Sequence, residues 1–153
     1  RDVYKRQNEL VSILRRAAGM LAMQSMHPDV VRSIAMRSRG TPRVALRLLR
    51  RVRDFAQVRS AGALDVGTVD AALRLEGVDQ LGLDELDRKY LRTIATIDQG
   101  APVGLDAIAA TLGDAGDTLE DVFEPYLLRI GFVARTRQGR KLTAAGIDYL
   151  SKC

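Results

Sequence analysis

The stretch GLDAIAATLGDAGDTLEDVFEPYLLRIGFVARTRQGRKLT, residues 104–143, decides how the second half of this chain folds. Leu105, Ile108, Ala109 and Leu112 recur at three- and four-residue steps, which predicts a two-turn helix. Gly113 to Gly116 reads as a turn, and Asp117 with Glu120 has the spacing of a capping box that opens a second helix. Leu119, Val122, Phe123, Tyr126, Leu127 and Ile130 are its apolar positions, and Gly131 ends it. Pro125 lies inside this helix and should kink it, because proline supplies no amide donor. Residues 132–136, the turn Arg137 to Arg140, and residues 141–143 then read as strand, glycine turn and strand, with Ala144 to Leu150 as a closing helix.

One more helix upstream would complete the pattern, and the sequence supplies it. Asp84 is placed to cap a helix whose buried stripe is Leu86, Tyr90, Leu91, Ile94 and Ile97. Three helices followed by a two-stranded hairpin is the winged-helix order, with a helix-turn-helix across residues 104–130.

Further upstream the pattern is purely helical. From Asn8, Leu10, Val11, Leu14, Ala17, Ala18 and Leu21 mark a first amphipathic helix. Pro28 and Asp29 open a second, with Val30, Val31, Ile34 and Ala35 inward and Arg37 to Gly40 ending it. Thr41 followed by Pro42 is a strong start signal for a third, since a hydroxyl can accept from an orphan amide and proline loses nothing at the first helical position. That helix runs to about Val58, with Val44, Leu48, Leu49, Val52, Phe55 and Ala56 on one arc and Arg43, Arg47, Arg50 and Asp54 on the other. Val69, Ala72, Leu73 and Leu75 mark a fourth that stops before Gly77. The fold class is therefore mainly α: a four-helix bundle over residues 8–78, then a winged-helix domain with a small hairpin over 79–153. Residues 1–7 have no apolar period that continues into the first helix and read as a non-native leader.

Charge follows the same division. Residues 1–78 hold 15 Lys and Arg against 7 Asp and Glu, whereas residues 79–153 hold 9 against 12, so a net +8 half precedes a net −3 half. Such asymmetry suits a polyanionic partner without identifying one. The sole cysteine, Cys153, excludes an internal disulfide and points to a reducing, cytoplasmic interior. No apolar run approaches the ~20 residues of a membrane span.

Catalytic patterns are missing: there is no G-x-x-x-x-G-K-[ST] loop, no H-E-x-x-H and no paired cysteines, so this stretch of chain does not read as an enzyme by itself. His27, the one histidine, precedes Pro28 and reads as a residue at a helix start. Seven arginines lie between Arg37 and Arg53, most simply a solvated helix face. Arg43 differs because it sits in the first turn, where unpaired amides and the helix dipole already favour an anion. In the second half, Glu120, Asp121 and Glu124 on the third helix would repel phosphates, which disfavours base reading by that helix. Arg135, Arg137, Arg140 and Lys141 surround the hairpin turn, with no acid between Pro125 and Ile147; the wing is the expected DNA contact, against the plainer reading of a hairpin tip charged for solubility.

Four tracts together carry a resemblance: RSRGTPRVALRLLRRVRDFA (37–56), LGLDELDRKYLRTI (81–94), PVGLDAIAATLG (102–113) and DTLEDVFEPYLLRIGF (117–132). In this order the chain resembles the RuvB family of Holliday-junction branch-migration motors from about Asn8 onward. The resemblance implies that residues 8–78 are an AAA+ lid, that Arg43 with Pro42 matches the sensor-II position contacting the phosphates of ATP, and that the phosphate loop and Mg-holding acidic motif belong upstream, as in a truncated gene product. It further implies duplex or four-way-junction DNA as the ligand, a homo-hexameric ring and a junction-recognition partner subunit. Family members read R-T-P-R-G-R at the hairpin; Arg135 and Arg140 match, and the resemblance implies that they contact DNA, while Arg137 and Gln138 depart. Leu46 stands where related sequences often have Asn, and Gly116 where they often have a basic residue. A tyrosine near the adenine is a family feature, and Tyr4 lies close to that place within the leader. The alternatives are a free-standing winged-helix regulator, which the acidic third helix argues against, and an adaptor that docks an acidic protein through its arginine helix.

Overall fold

A computed structural model describes residues 2–21, 23 and 26–153. It divides into two compact units, residues 1–84 and 85–153.

The first unit contains α1 (Asp2–Met20), α2 (Pro28–Met36), α3 (Pro42–Arg59) and α4 (Val66–Leu75). Their apolar faces meet in one core built on Leu10, Leu14, Val30, Val31, Ile34, Leu48, Leu49, Val52, Val69 and Leu73. Helix α1 starts at Asp2 and not near Asn8, so residues 2–7 of the stretch set apart as a leader are helical, with Asp2, Tyr4, Lys5 and Arg6 exposed. At the head of α4, Asp65 accepts from the Thr68 amide at 2.7 Å, a cap of the ordinary kind. Leu75, expected inward, is 71% exposed.

The second unit contains α5 (Glu85–Asp98), α6 (Leu105–Leu112), α7 (Gly116–Thr118), a π-helical turn (Leu119–Phe123), α8 (Glu124–Arg129), β1 (Val133–Thr136), β2 (Gly139–Leu142) and α9 (Ala144–Ser151). Tyr90, Leu91, Ile94, Ile108, Leu119 and Leu127 form its buried interior. The α5 stripe is shifted from the expected one: Leu86 and Ile97 are exposed, and Asp87, Tyr90, Leu91, Thr93 and Ile94 face inward.

The kink expected at Pro125 takes a definite form. The Glu124 amide donates to the Leu119 carbonyl, five residues back, so the helix widens into a π-turn just before Pro125 begins the next α-turns. In an unbroken α-helix the proline ring would strike the carbonyl of Asp121, four residues earlier, and the wider turn makes room for it. The proposed capping box is not formed: Asp117 accepts from the neighbouring Thr118 amide at 3.0 Å, and Glu120 is engaged elsewhere.

The hairpin is tighter than its sequence suggests. Arg135 pairs with Arg140 and Thr136 with Gly139, leaving only Arg137 and Gln138 in the turn. Arg140, expected in the turn, is thus a strand residue, while Phe132 and Thr143 fall outside the strands; Thr143 instead caps α9 by accepting from the Gly146 amide at 3.1 Å. Val103, outside both strands, forms a third short rung: its amide and carbonyl exchange hydrogen bonds of 2.7 Å with Arg140. Gly139 faces that rung at φ 145°, and a Cβ there would lie 2.3 Å from the Val103 oxygen, so only glycine fits.

Candidate nucleic-acid interface and anion-facing helix terminus

In the first unit the interest lies where α3 begins. Pro42 occupies the first turn and Thr41 the N-cap position, with extended backbone, but the Thr41 hydroxyl donates to the Arg39 carbonyl at 3.3 Å and does not accept from the helix. The expected cap is therefore absent, and the first-turn amides of α3 have no side-chain acceptor. Arg43 projects from this turn and is exposed. A helix terminus with open amides beside an exposed guanidinium fits an oxyanion such as a phosphate.

The arginine cluster separates into distinct roles. Arg37 is internal: its side chain is 7% exposed and meets Asp70. Arg53 bonds Asp54 and Arg51 approaches Glu76, while Arg59 lies over the Phe55 ring. Arg43, Arg47 and Arg50 remain exposed at four- and three-residue steps, a single basic stripe that starts at the helix terminus. Leu46 is half-buried beside it. His27 accepts from the Asp29 amide at 3.2 Å, which gives the histidine the modest capping place expected of it.

In the second unit the site is the wing. At its tip Arg137 is exposed, Lys141 is exposed on β2 opposite Ala134, and the Gln138 amide bonds the Thr136 hydroxyl at 3.2 Å, which fixes the turn. Arg135 is half exposed, but its guanidinium donates to Glu124 Oε2 at 2.8 Å. Arg140 departs furthest from its expected place among the solvent-facing residues. Only 14% of its side chain is accessible, and it donates to Glu124 Oε1 at 2.7 Å and to Glu120 Oε1 at 2.9 Å.

Glu124 is the centre of this arrangement. Its side chain is fully buried, and its two oxygens receive five hydrogen bonds, one from the Tyr90 hydroxyl at 2.7 Å and two each from Arg135 and Arg140. Burial alone would push its carboxyl upward, but the donors from Arg140, Arg135 and Tyr90 outweigh it and hold the group below the usual glutamate range. Burial, and then the bond to a carboxylate, push the Tyr90 phenol well above its ordinary value. The Glu124 bonds, then burial acting in the opposite sense, leave Arg140 more firmly protonated than a free arginine.

This network revises the electrostatic picture of the third helix. Glu120 and Glu124 are neutralised by wing arginines, and of the acidic trio only Asp121 stands exposed without such a partner. The helix is less repulsive to phosphates than its composition suggests. In the sequence an acid that faces solvent looks like one that faces a hairpin; Pro125 marks where the helix widens, just before Glu124, and not where the carboxylate points.

Among the described residues, no group of three or more His, Cys, Asp or Glu could hold a metal ion, and no helix is long and apolar enough to cross a membrane. Gly116 sits against Leu105 and leaves the inter-helix turn without a basic side chain.

Comparison with known proteins agrees with this architecture. The RuvB AAA lid domain matches residues 4–79, a span that begins inside the stretch set apart as a leader, and the RuvB C-terminal winged helix domain matches residues 80–151. The chain is 48% identical over 147 residues to the Holliday junction branch migration complex subunit RuvB of Latilactobacillus sakei, covering 96% of this chain and 44% of that protein. It is 52% identical over 145 residues to the subunit of the same name from Synechococcus, covering 94% of this chain and 40% of that one. The solved Thermotoga maritima RuvB Holliday junction branch migration motor superposes with a TM-score of 0.90 at 45% identity, over 95% of this chain and 48% of that one. This chain spans less than half the length of each of these relatives. With both of its units matched in order, the chain belongs to the RuvB family and comprises its AAA lid and its carboxy-terminal winged-helix domain.

Proposed function

We propose that this chain is the carboxy-terminal part of an ATP-dependent motor that drives branch migration of four-way DNA junctions during recombination and repair. Residues 8–78 act as the lid and residues 79–153 as the DNA-gripping domain, in a cytoplasmic homo-hexameric ring that works with a junction-recognition subunit. The observation that carries the DNA reading is the wing: a two-residue turn bearing Arg137, flanked by Lys141 and the half-exposed Arg135, on a hairpin tied firmly to its helices. A motor that travels along any sequence needs grip on the sugar-phosphate chain and no preference among bases, and a charged hairpin tip supplies that.

ATP with Mg is the proposed cofactor, held mainly by upstream residues, and its hydrolysis supplies the free energy for movement. Arg43, with Pro42 setting the helix start, contributes a guanidinium to the nucleotide's phosphates, which lets the lid respond to nucleotide state. Support comes from its exposure at an uncapped helix terminus.

Titration of fluorescent duplex and four-way-junction DNA with the wild-type chain, Arg137→Ala and Lys141→Ala tests the DNA reading. Both variants bind more weakly on every sequence. Binding that is confined to one selected sequence would identify a winged-helix regulator, and an adaptor would show no DNA response in the wild-type chain or in Arg135→Ala and Arg140→Ala.

A further inference from the structure

Arg135 and Arg140 stand directly opposite one another on β1 and β2, a cross-strand pair of like charges that by itself would drive the strands apart. A two-stranded hairpin of four residues per strand has little stability of its own. Both problems are met by one buried carboxylate: Glu124, on the helix behind the hairpin, bonds both guanidiniums and is itself oriented by the Tyr90 hydroxyl on α5. Glu120, about one helical turn earlier, holds Arg140 from the solvent side. A buried acid is tolerated only when its hydrogen bonds are satisfied, and here five donors satisfy it.

We propose that Glu124 is a positioning residue for DNA binding: by clasping Arg135 and Arg140 it fixes the direction of the wing, so that Arg137 and Lys141 make the phosphate contacts and Arg140 serves as anchor. This rests on the wing being the DNA contact. It assigns different tasks to basic residues that charge alone cannot distinguish, and it gives an acidic residue a favourable part in binding a polyanion.

The sign of the effect makes the test decisive. Glu124→Gln removes a negative charge and releases two guanidiniums, so simple electrostatics requires tighter DNA binding. The positioning role requires weaker binding, by about tenfold, because the contacts are no longer preorganised. Duplex anisotropy on the 153-residue chain reads this, and amide hydrogen exchange across residues 133–142 reads the hairpin directly, with exchange in the variant about tenfold faster. A folded Glu124→Gln chain that binds DNA as well as or better than wild type, or whose hairpin exchange is unchanged, overturns the proposal. Should Glu124→Gln fail to fold, Glu120→Gln removes only the outer clasp; a loss of about twofold supports the role, and unchanged or tighter binding overturns it. A wild-type chain that does not bind DNA overturns the contact reading and the DNA half of this proposal, while faster hairpin exchange in the variant would separately confirm that Glu124 holds the hairpin.

Discussion

Arg37 and Asp70 meet at 2.5 Å, joining the end of α2 to the middle of α4 across 33 residues of chain, with the arginine side chain 7% exposed and the aspartate 33%. The Arg37 Nη1 is buried without a hydrogen-bond partner, so Asp70 provides the charge compensation that makes an internal guanidinium tolerable. Asp70→Ala is expected to destabilise the first unit by about 2 kcal/mol, below the full cost of breaking a buried pair because Asp70 is one-third open to solvent. Denaturant unfolding followed by circular dichroism measures it, and a change under about 0.5 kcal/mol would place the pair among ordinary surface contacts.

Gly139→Ala brings a methyl group into the space held by the Val103 carbonyl, at a backbone angle that side chains rarely adopt. The second unit should lose about 2–3 kcal/mol, and its melting temperature should fall by several degrees. An alanine variant that melts with wild type would show that the Val103 rung does not persist in solution.

Salt dependence reports how many phosphates the wing neutralises. If all four basic wing residues neutralised phosphates, roughly 3–4 contacts, the log–log slope for duplex binding would lie near −3, whereas contacts by Arg137 and Lys141 alone give a slope of about −2. If Arg140 is an anchor, Arg137→Ala and Lys141→Ala should each reduce the slope by about 0.9, whereas a salt-independent interaction would exclude phosphate contact altogether.

Acid should loosen the second unit through Glu124. Its carboxyl is held below the ordinary glutamate value of 4.5, so the stability it contributes is present above that pH and is lost as pH falls through the lower folded value. Thermal melts between about pH 5 and 3 should show the wild-type unit losing stability more steeply than Glu124→Gln, which has no such proton to take up. Parallel pH profiles for the two proteins would show that Glu124 is not the group responsible.

ATP turnover by this chain alone should stay at background, since the sequence has no phosphate-cradling loop. A coupled assay with and without junction DNA checks this, and hydrolysis abolished by Arg43→Ala would instead locate a complete site within the chain.

The sequence made the helices legible because their apolar periods are long and their stop signals clear, as at Gly113 and Gly131. The winged-helix order followed from the glycine turn between two short polar-apolar runs. What it could not disclose was direction. Arg43 and Arg37 look alike in a row of arginines, yet one faces solvent and the other lies inside, because burial is decided by Asp70, 33 residues away. Arg137 and Arg140 lie three residues apart in one basic stretch, and only the pairing register, which leaves Arg137 in the turn and puts Arg140 opposite Arg135 and toward the helix, separates them. Leu86 and Ile97 misled because α5 places two polar side chains, Asp87 and Thr93, inside, which rotates its inward face away from a purely apolar stripe.

The π-turn before Pro125 has a mechanical meaning. A hairpin this short would bend like a loose thread under any pull on its end, but the widened turn delivers Glu124 to the place where both strands can be gripped at their middle. Force applied at Arg137 would therefore reach a helical framework after two residues of travel, and the proposed clasp makes the wing a stiff handle whose rigidity is borrowed from the helices behind it.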